Sequence, residues 1–297
     1  MEVVVSEETN KKVLDEGIKE AVTDACIPLK IFYGHVVNLA SKVDFLFIPR
    51  IINWENTSNF CPKFLGLPDM IRHGIKGIPP IISPRISTKS LRASWRSIEN
   101  IARTLNVSKF KAIHAYRRGL TAISKYKELL RDGWTPLEAE QILASGNSTQ
   151  KLEGKMNIAL LGYPYALYDS YINSNLISQL RGLDVKIHTA DTLPVQKLKR
   201  NIYDRKDAFW HYSDSVLRAG MHFIQDSNIE GLIHVTAFGC GPDFLVNKIL
   251  EIEAKEHSKP LLTLSLDDKN GDSGIITRLE SFINMIPFAK GTHRIAH

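Results

Sequence analysis

The chain has 297 residues, 43% apolar and 24% charged, which excludes disorder as the default and allows two compact α/β units or one large domain. Its net charge of +6 is uneven: twelve lysines and arginines face three acids between Arg85 and Asp132, so the remainder is slightly acidic. No apolar run reaches the length of a membrane span, and the best one, Val43–Ile52, is broken by Asp44, Pro49 and Arg50. Glu2, Glu7 and Glu8 stand where a secretory signal would carry cations, so a soluble, cytoplasmic protein is expected.

In chain order, residues 1–88 read as an incomplete α/β domain. Glu2–Thr9 is expected as a strand, and Val43–Pro49 as the next. These two runs stand at positions like those of Asp184–Asp191 and Glu230–Thr236, and a cysteine follows in each copy. Such self-similarity suggests a duplicated unit. The first copy lacks a counterpart of Asn157–Arg181, which in a sheet of order 2-1-3-4 supplies a central strand. A gap, an altered strand pairing or a strand from a partner chain is therefore expected in residues 1–88.

Residues 89–150 form a basic helical segment of three helices between Ser90 and Ser145. Thr135-Pro-Leu-Glu138 is a capping box with proline at the first helical position, and Ser145–Thr149 leads out. Trp95, Phe110, Tyr116 and Tyr126 fall at helical spacing and are expected in a core, which argues against nucleic acid as a partner. The cations suit the phosphates of a CoA or nucleotide, an acidic redox partner, or a solvated face.

Residues 151–287 alternate strands with helices. The strands are Asn157–Gly162, Val185–His188, Gly231–Phe238 and Pro260–Leu266. The helices are Tyr171–Arg181, Asp207–Asp226, one opening at Pro242-Asp243, and one from about Gly274 to Met285. Alternation of this kind gives βαβ crossovers and a parallel sheet. Residues 288–297 are a tail. The expected fold class is α/β, with two flavodoxin-like parallel-sheet domains, the N-terminal copy incomplete, joined by a helical middle.

An odd count of three cysteines argues against a disulfide framework. Each has proline within two positions: Cys26-Ile-Pro28, Cys61-Pro62 and Cys240-Gly-Pro242. Proline after cysteine recurs in iron–sulfur ligation. Cys61 and Cys240 follow expected strands, where ligands of open α/β sheets gather, and Cys26 opens a helix. Glycines on both sides of Cys240 allow backbone N–H groups to approach an anion or sulfide. Three unrelated buried thiols remain the alternative. Zinc is a weaker choice, because no cysteine pair has the usual close spacing and no histidine stands at a matching distance.

The segments Asp24-Ala-Cys-Ile-Pro-Leu-Lys30, Phe60-Cys-Pro-Lys-Phe-Leu-Gly-Leu-Pro-Asp69, Phe238-Gly-Cys-Gly-Pro-Asp243 and Gly271-Asp-Ser-Gly-Ile-Ile-Thr-Arg-Leu-Glu280 resemble the acyl-CoA dehydratase activase-related proteins. These are relatives of the 2-hydroxyacyl-CoA dehydratase D-component, whose subunits hold iron–sulfur clusters. The resemblance covers roughly Glu2 to Met285. It implies a 4Fe–4S cluster, or a larger double-cubane-type one, held by Cys26, Cys61 and Cys240 between two α/β domains with one iron open. Family members usually begin with a further strand and helix, and this chain departs there. Lys30 and Lys63 are placed to offset thiolate charge, and Asn59, Tyr163 and Asp243 to support the site. His234 reads as a satisfied core residue.

The function implied is low-potential redox chemistry, with radical dehydration of an acyl-CoA or another small substrate. A cluster carrier or assembly partner is the alternative, and a flavin-binding module a distant third. No phosphate-loop motif is present, so an ATP-hydrolysing activase or other electron donor is expected as a separate partner, in a homo- or hetero-oligomer.

Overall fold

The computed structural model describes residues 2–53, 59–87, 91–146, 154–193, 208–267 and 272–292. Asn10 starts the first helix, its side-chain oxygen accepting the Val13 N–H at 3.1 Å, a cap that contributes about 1 kcal/mol. Helix α1 is Lys11–Glu20 and α2 is Ile27–Ala40. The two helices approach backbone to backbone. A Cβ on Gly17 would collide with the Lys30 carbonyl, and one on Gly34 with the Val13 carbonyl.

A βαβ crossover follows. Strands β1 (Leu46–Phe47) and β2 (Arg50–Asn53) lead into α3 (Pro62–Gly74), then β3 (Ile81–Ile82) and β4 (Arg85–Ser87). β1 pairs parallel with β3, and β2 with β4. The N–H groups of Leu46, Ile48 and Arg50 donate to Pro80, Ile82 and Pro84, so one side of the ladder is continuous. Pro84 has no N–H to return, which divides the pairing in two. Leu46 and Ile48 bury against Leu29, Tyr33, Val36, Leu67 and Ile71 in one core.

The strand expected over Glu2–Thr9 is not formed. Residues 2–10 carry no regular secondary structure, and Val3 and Val5 are 79% and 81% exposed. Side chains hold this run on α2 instead: Asn38 donates to Glu7, and Thr9 lies 3.0 Å from His35 Nε2. The element-by-element match with the C-terminal copy therefore fails at its first strand.

Helices α4 (Leu91–Thr104), α5 (Lys109–Arg131) and α6 (Pro136–Ser145) make up the middle segment. The Thr135 capping box is present as read, with side chain and backbone satisfied reciprocally by Glu138. The aromatic expectation needs correction. Trp95, Phe110 and Tyr116 are exposed, and α5 buries no residue along its 23 positions. Helical spacing gives a stripe, but burial also needs an element packed against it.

Strand β5 (Met156–Gly162) precedes α7 (Pro164–Tyr168), α8 (Leu176–Gly182) and β6 (Val185–His188). Then come α9 (His211–Gln225), β7 (Gly231–Ala237), α10 (Gly241–Glu256), β8 (Leu261–Leu266) and α11 (Asp272–Thr292). All pairings are parallel, in the order β6-β5-β7-β8, consistent with a flavodoxin-like sheet. The central strands are buried nearly throughout because both faces are covered. The helix expected from Tyr171 is delayed to Leu176. The Asn173 side chain donates to the Ala166 and Leu167 carbonyls and accepts from Leu176 N–H, while Ser174 and Asn175 turn left-handed. The final helix, expected to end near Met285, continues to Thr292. The expected start at Asp207, the linker from 147 to 149, Gly271 and the tail from 293 lie outside the described residues.

Two units divide the chain: Met1–Lys125 with Ala208–Asp214, and Tyr126–Asp207 with Ser215–His297. Among the described residues, no helix is long and apolar enough to cross a membrane.

Candidate functional site

All three cysteines are helix N-caps. Cys26 caps α2, Cys61 caps α3 and Cys240 caps α10, each in an extended conformation with proline at the first or second helical position. Their carbonyls accept the first helical bonds, from Leu29, Leu65 and Phe244. Proline fits there because those N–H groups have no intrahelical partner and its φ is already helical. The remaining first-turn N–H groups and the helix dipole favour negative charge at the cap, the environment that stabilises a thiolate. None of the three is in a disulfide, and all three are half-buried.

In the first unit, Cys61 is the best defined. Burial pushes its thiol up, and the nearby backbone N–H groups of Phe64 and Lys63 pull it down, although neither is within hydrogen-bonding geometry of the sulfur. The Cys26 charge pushes it up further and the Lys63 ammonium lowers it, for a net rise. Cys26 and Cys61 are thus within electrostatic reach of each other, with Lys63 beside them. Lys30, one turn into α2, donates its N–H to the Cys26 carbonyl at 3.2 Å.

The loop carrying Cys61 is clamped by residues far away in sequence. Asn59 bridges to Asn53 and to Trp210, and its carbonyl accepts His211 N–H at 2.9 Å. The buried Phe60 ring meets His211 at 4.9 Å and Tyr212 at 5.2 Å, and Phe64 also faces Tyr212. Asp69, the last residue of that cysteine motif, holds Arg50 at 2.6 Å and so ties α3 to β2. Asn59 therefore has a backbone-anchoring role. Trp210, His211 and Tyr212 escaped sequence reading, because nothing local connects them with Cys61.

In the second unit, β7 ends at Ala237 and Gly239 takes φ +78°, a turn that brings the chain into α10 at Cys240. Tyr163 caps α7 at the end of the neighbouring strand β5, buried, with its ring edge-on to Tyr165 at 5.6 Å. Asp243, in the first turn of α10, is 1% exposed and sits 3.2 Å from Nε2 of the fully buried His234. His234 is the satisfied core residue that its strand position suggested, and Asp243 is one of its partners.

The donor chemistry, three thiols at helix N-termini outside any disulfide, fits an iron–sulfur group. Cys26 and Cys61 belong to the first unit and Cys240 to the second. Among the described residues, no three His, Cys, Asp or Glu side chains form a group able to hold a metal ion.

Residues 1–193, a span that includes Cys26 and Cys61, match the family model described as CoA enzyme activase uncharacterised domain (DUF2229). No curated protein matches the chain. The match agrees, at the level of family, with the activase-related resemblance carried by the cysteine motifs. More than half of the sequence lies within it, and the chain belongs to the CoA enzyme activase uncharacterised domain family.

Proposed function

We propose that this protein is a cluster-holding redox component of a CoA-thioester enzyme system. Cys26, Cys61 and Cys240 would be the thiolate ligands of one iron–sulfur cluster, 4Fe–4S or double-cubane-type. The observation that carries this reading is the thrice-repeated cap: a half-buried cysteine outside any disulfide at a helix N-terminus, with proline directly after it or one residue on. One such cap is common; three caps on all three cysteines of the chain are not a packing accident. The bound cluster would supply low-potential electrons for dehydration of a 2-hydroxyacyl-CoA, with an ATP-hydrolysing activase as donor.

The chain's own residues have separable roles in this reading. The first-turn N–H groups of Lys63 and Phe64 favour the Cys61 thiolate, and N–H groups that bond to a ligating sulfur tune the potential of a bound cluster. Lys63, and Lys30 on α2, reduce the negative charge of a thiolate set. Phe60, fixed by His211 and Tyr212, holds the Cys61 loop in place before any ligand arrives.

The test is iron and acid-labile sulfide analysis of protein prepared without oxygen. At least about four irons per chain are expected for a cubane, lost when Cys26, Cys61 or Cys240 is replaced by serine. Protein that takes up no iron anaerobically, or retains all of it in the three variants, overturns the reading. Bound iron without turnover, given activase and reductant, would assign the chain a carrier role.

A further inference from the structure

We infer that the first unit carries a binding cleft for the phosphates of a nucleotide-sized ligand, formed by β3, β4 and α4. This inference does not depend on a cluster at the cysteines, none of which lines the cleft. The cavity has a volume of about 670 Å³, within the range of about 300–1,000 Å³ typical of small-molecule sites and far larger than one phosphate needs. Its strand side presents Ser83 and Arg85, and its helix side Arg96, Ser97 and Asn100. Isoleucines from both sides, Ile82 among them, supply an apolar wall suited to a base.

Two observations select an anion. First, no Asp or Glu is among the described lining residues, and arginine binds phosphate through paired, geometrically matched N–H donors. Second, the cleft opens the stretch from Arg85 to Asp132 that concentrates the positive charge of the chain, a field that draws anions in. The two walls are also fixed to each other. Ser97 donates its hydroxyl to the Arg85 carbonyl at 2.6 Å, which holds the helix carrying Arg96 against the strand carrying Arg85.

Adenosine diphosphate chemistry is shared by free nucleotides and by CoA, so the titration needs separate arms. Full-length protein is titrated calorimetrically with inorganic phosphate, ADP, CoA and dephospho-CoA at low and moderate salt. Saturable binding of ADP or CoA is expected, at least tenfold tighter than phosphate and weakened by salt. CoA bound more tightly than dephospho-CoA and ADP identifies the 3′-phosphorylated nucleotide as the ligand; equal binding identifies the common diphosphate. R85Q with R96Q should lose at least tenfold in affinity with unchanged thermal unfolding. K12Q, elsewhere in the unit, should leave affinity unchanged. No nucleotide binding at millimolar concentration, phosphate bound as tightly as nucleotides, or affinity unchanged in the double variant overturns the inference.

Discussion

His234 has no solvent contact, yet both ring nitrogens meet oxygen acceptors. Asn247 commits its amide N–H to Glu251 at 2.7 Å, so its oxygen faces His234 Nδ1 at 2.8 Å and accepts the Thr263 hydroxyl at 2.8 Å. Nδ1 must therefore carry a hydrogen. Replacing Asn247 by alanine strands the buried Nδ1–H, whereas Thr263 is only half-buried. An unsatisfied buried group costs about 1–3 kcal/mol, so Asn247→Ala should destabilise by about that amount in denaturant titration. A loss under about 1 kcal/mol would show that the network relaxes. Cys61 offers a different residue-scale test. Burial and the neighbouring Cys26 charge outweigh the pull of the Phe64 and Lys63 N–H groups and of the Lys63 ammonium, leaving the thiol above its ordinary value. Only thiolate reacts with iodoacetamide, so in cluster-free protein its alkylation midpoint should lie above that of free cysteine. Cys26→Ser should move the midpoint down. A midpoint below free cysteine contradicts this electrostatic account.

At the scale of elements, α6 depends on its start. The Glu138 carboxyl is pushed up by burial, but Arg181 at 2.7 Å and the Thr135 N–H and hydroxyl outweigh that and hold it below its ordinary 4.5. A depressed carboxylate contributes stability that is present above the unfolded value and lost as pH falls through the folded one. The loss should therefore set in below about pH 4.5. Arg181→Ala should remove this part, so unfolding free energies of variant and wild type should converge as pH falls towards 3 or so. A gap that does not narrow would assign Arg181 a packing role only. Thr135→Ala, which removes the cap itself, should cost about 1 kcal/mol. Helices α1 and α2 offer a sharper test. A methyl at position 17 or 34 would sit inside a backbone carbonyl of the other helix. Gly17→Ala should force the pair apart and cost about 3 kcal/mol, read as a fall in the midpoint of denaturant unfolding. Full stability in that variant would mean that the helices can slide without loss.

For the whole molecule, the distribution of charge matters more than its total. Arg117, Arg118 and Lys125 are exposed on α5 within the basic stretch, whereas Lys11, Lys12 and Lys19 of α1 stand among Asp15, Glu16 and Glu20. Clustered like charges add their fields over distances of about 10 Å at moderate salt. Three Gln substitutions on α5 should therefore lower the eluting salt on a cation exchanger more than three on α1. Equal shifts would mean that the basic stretch does not act as a unit.

The sequence by itself determined the C-terminal parallel sheet, because β5 and β7 are continuous apolar runs and the alternation with helices leaves few other arrangements. It also determined the Thr135 box and the helix starts at Cys26 and Pro242, which are interactions within four residues, whereas Cys61 read as a loop and proves to open α3. Tertiary structure alone decided the rest. Glu2–Thr9 has the residues of a strand but is held by side chains on α2, and Trp95, Phe110 and Tyr116 have helical spacing but no element over them. The contact of Gly17 with Gly34, and the seat of Phe60 against His211 and Tyr212, join residues 17 and about 150 positions apart. A residue pattern records what a segment can do. Which partner arrives from elsewhere in the chain, and whether it covers an apolar face or leaves it open, is settled only when the backbone has closed those long loops.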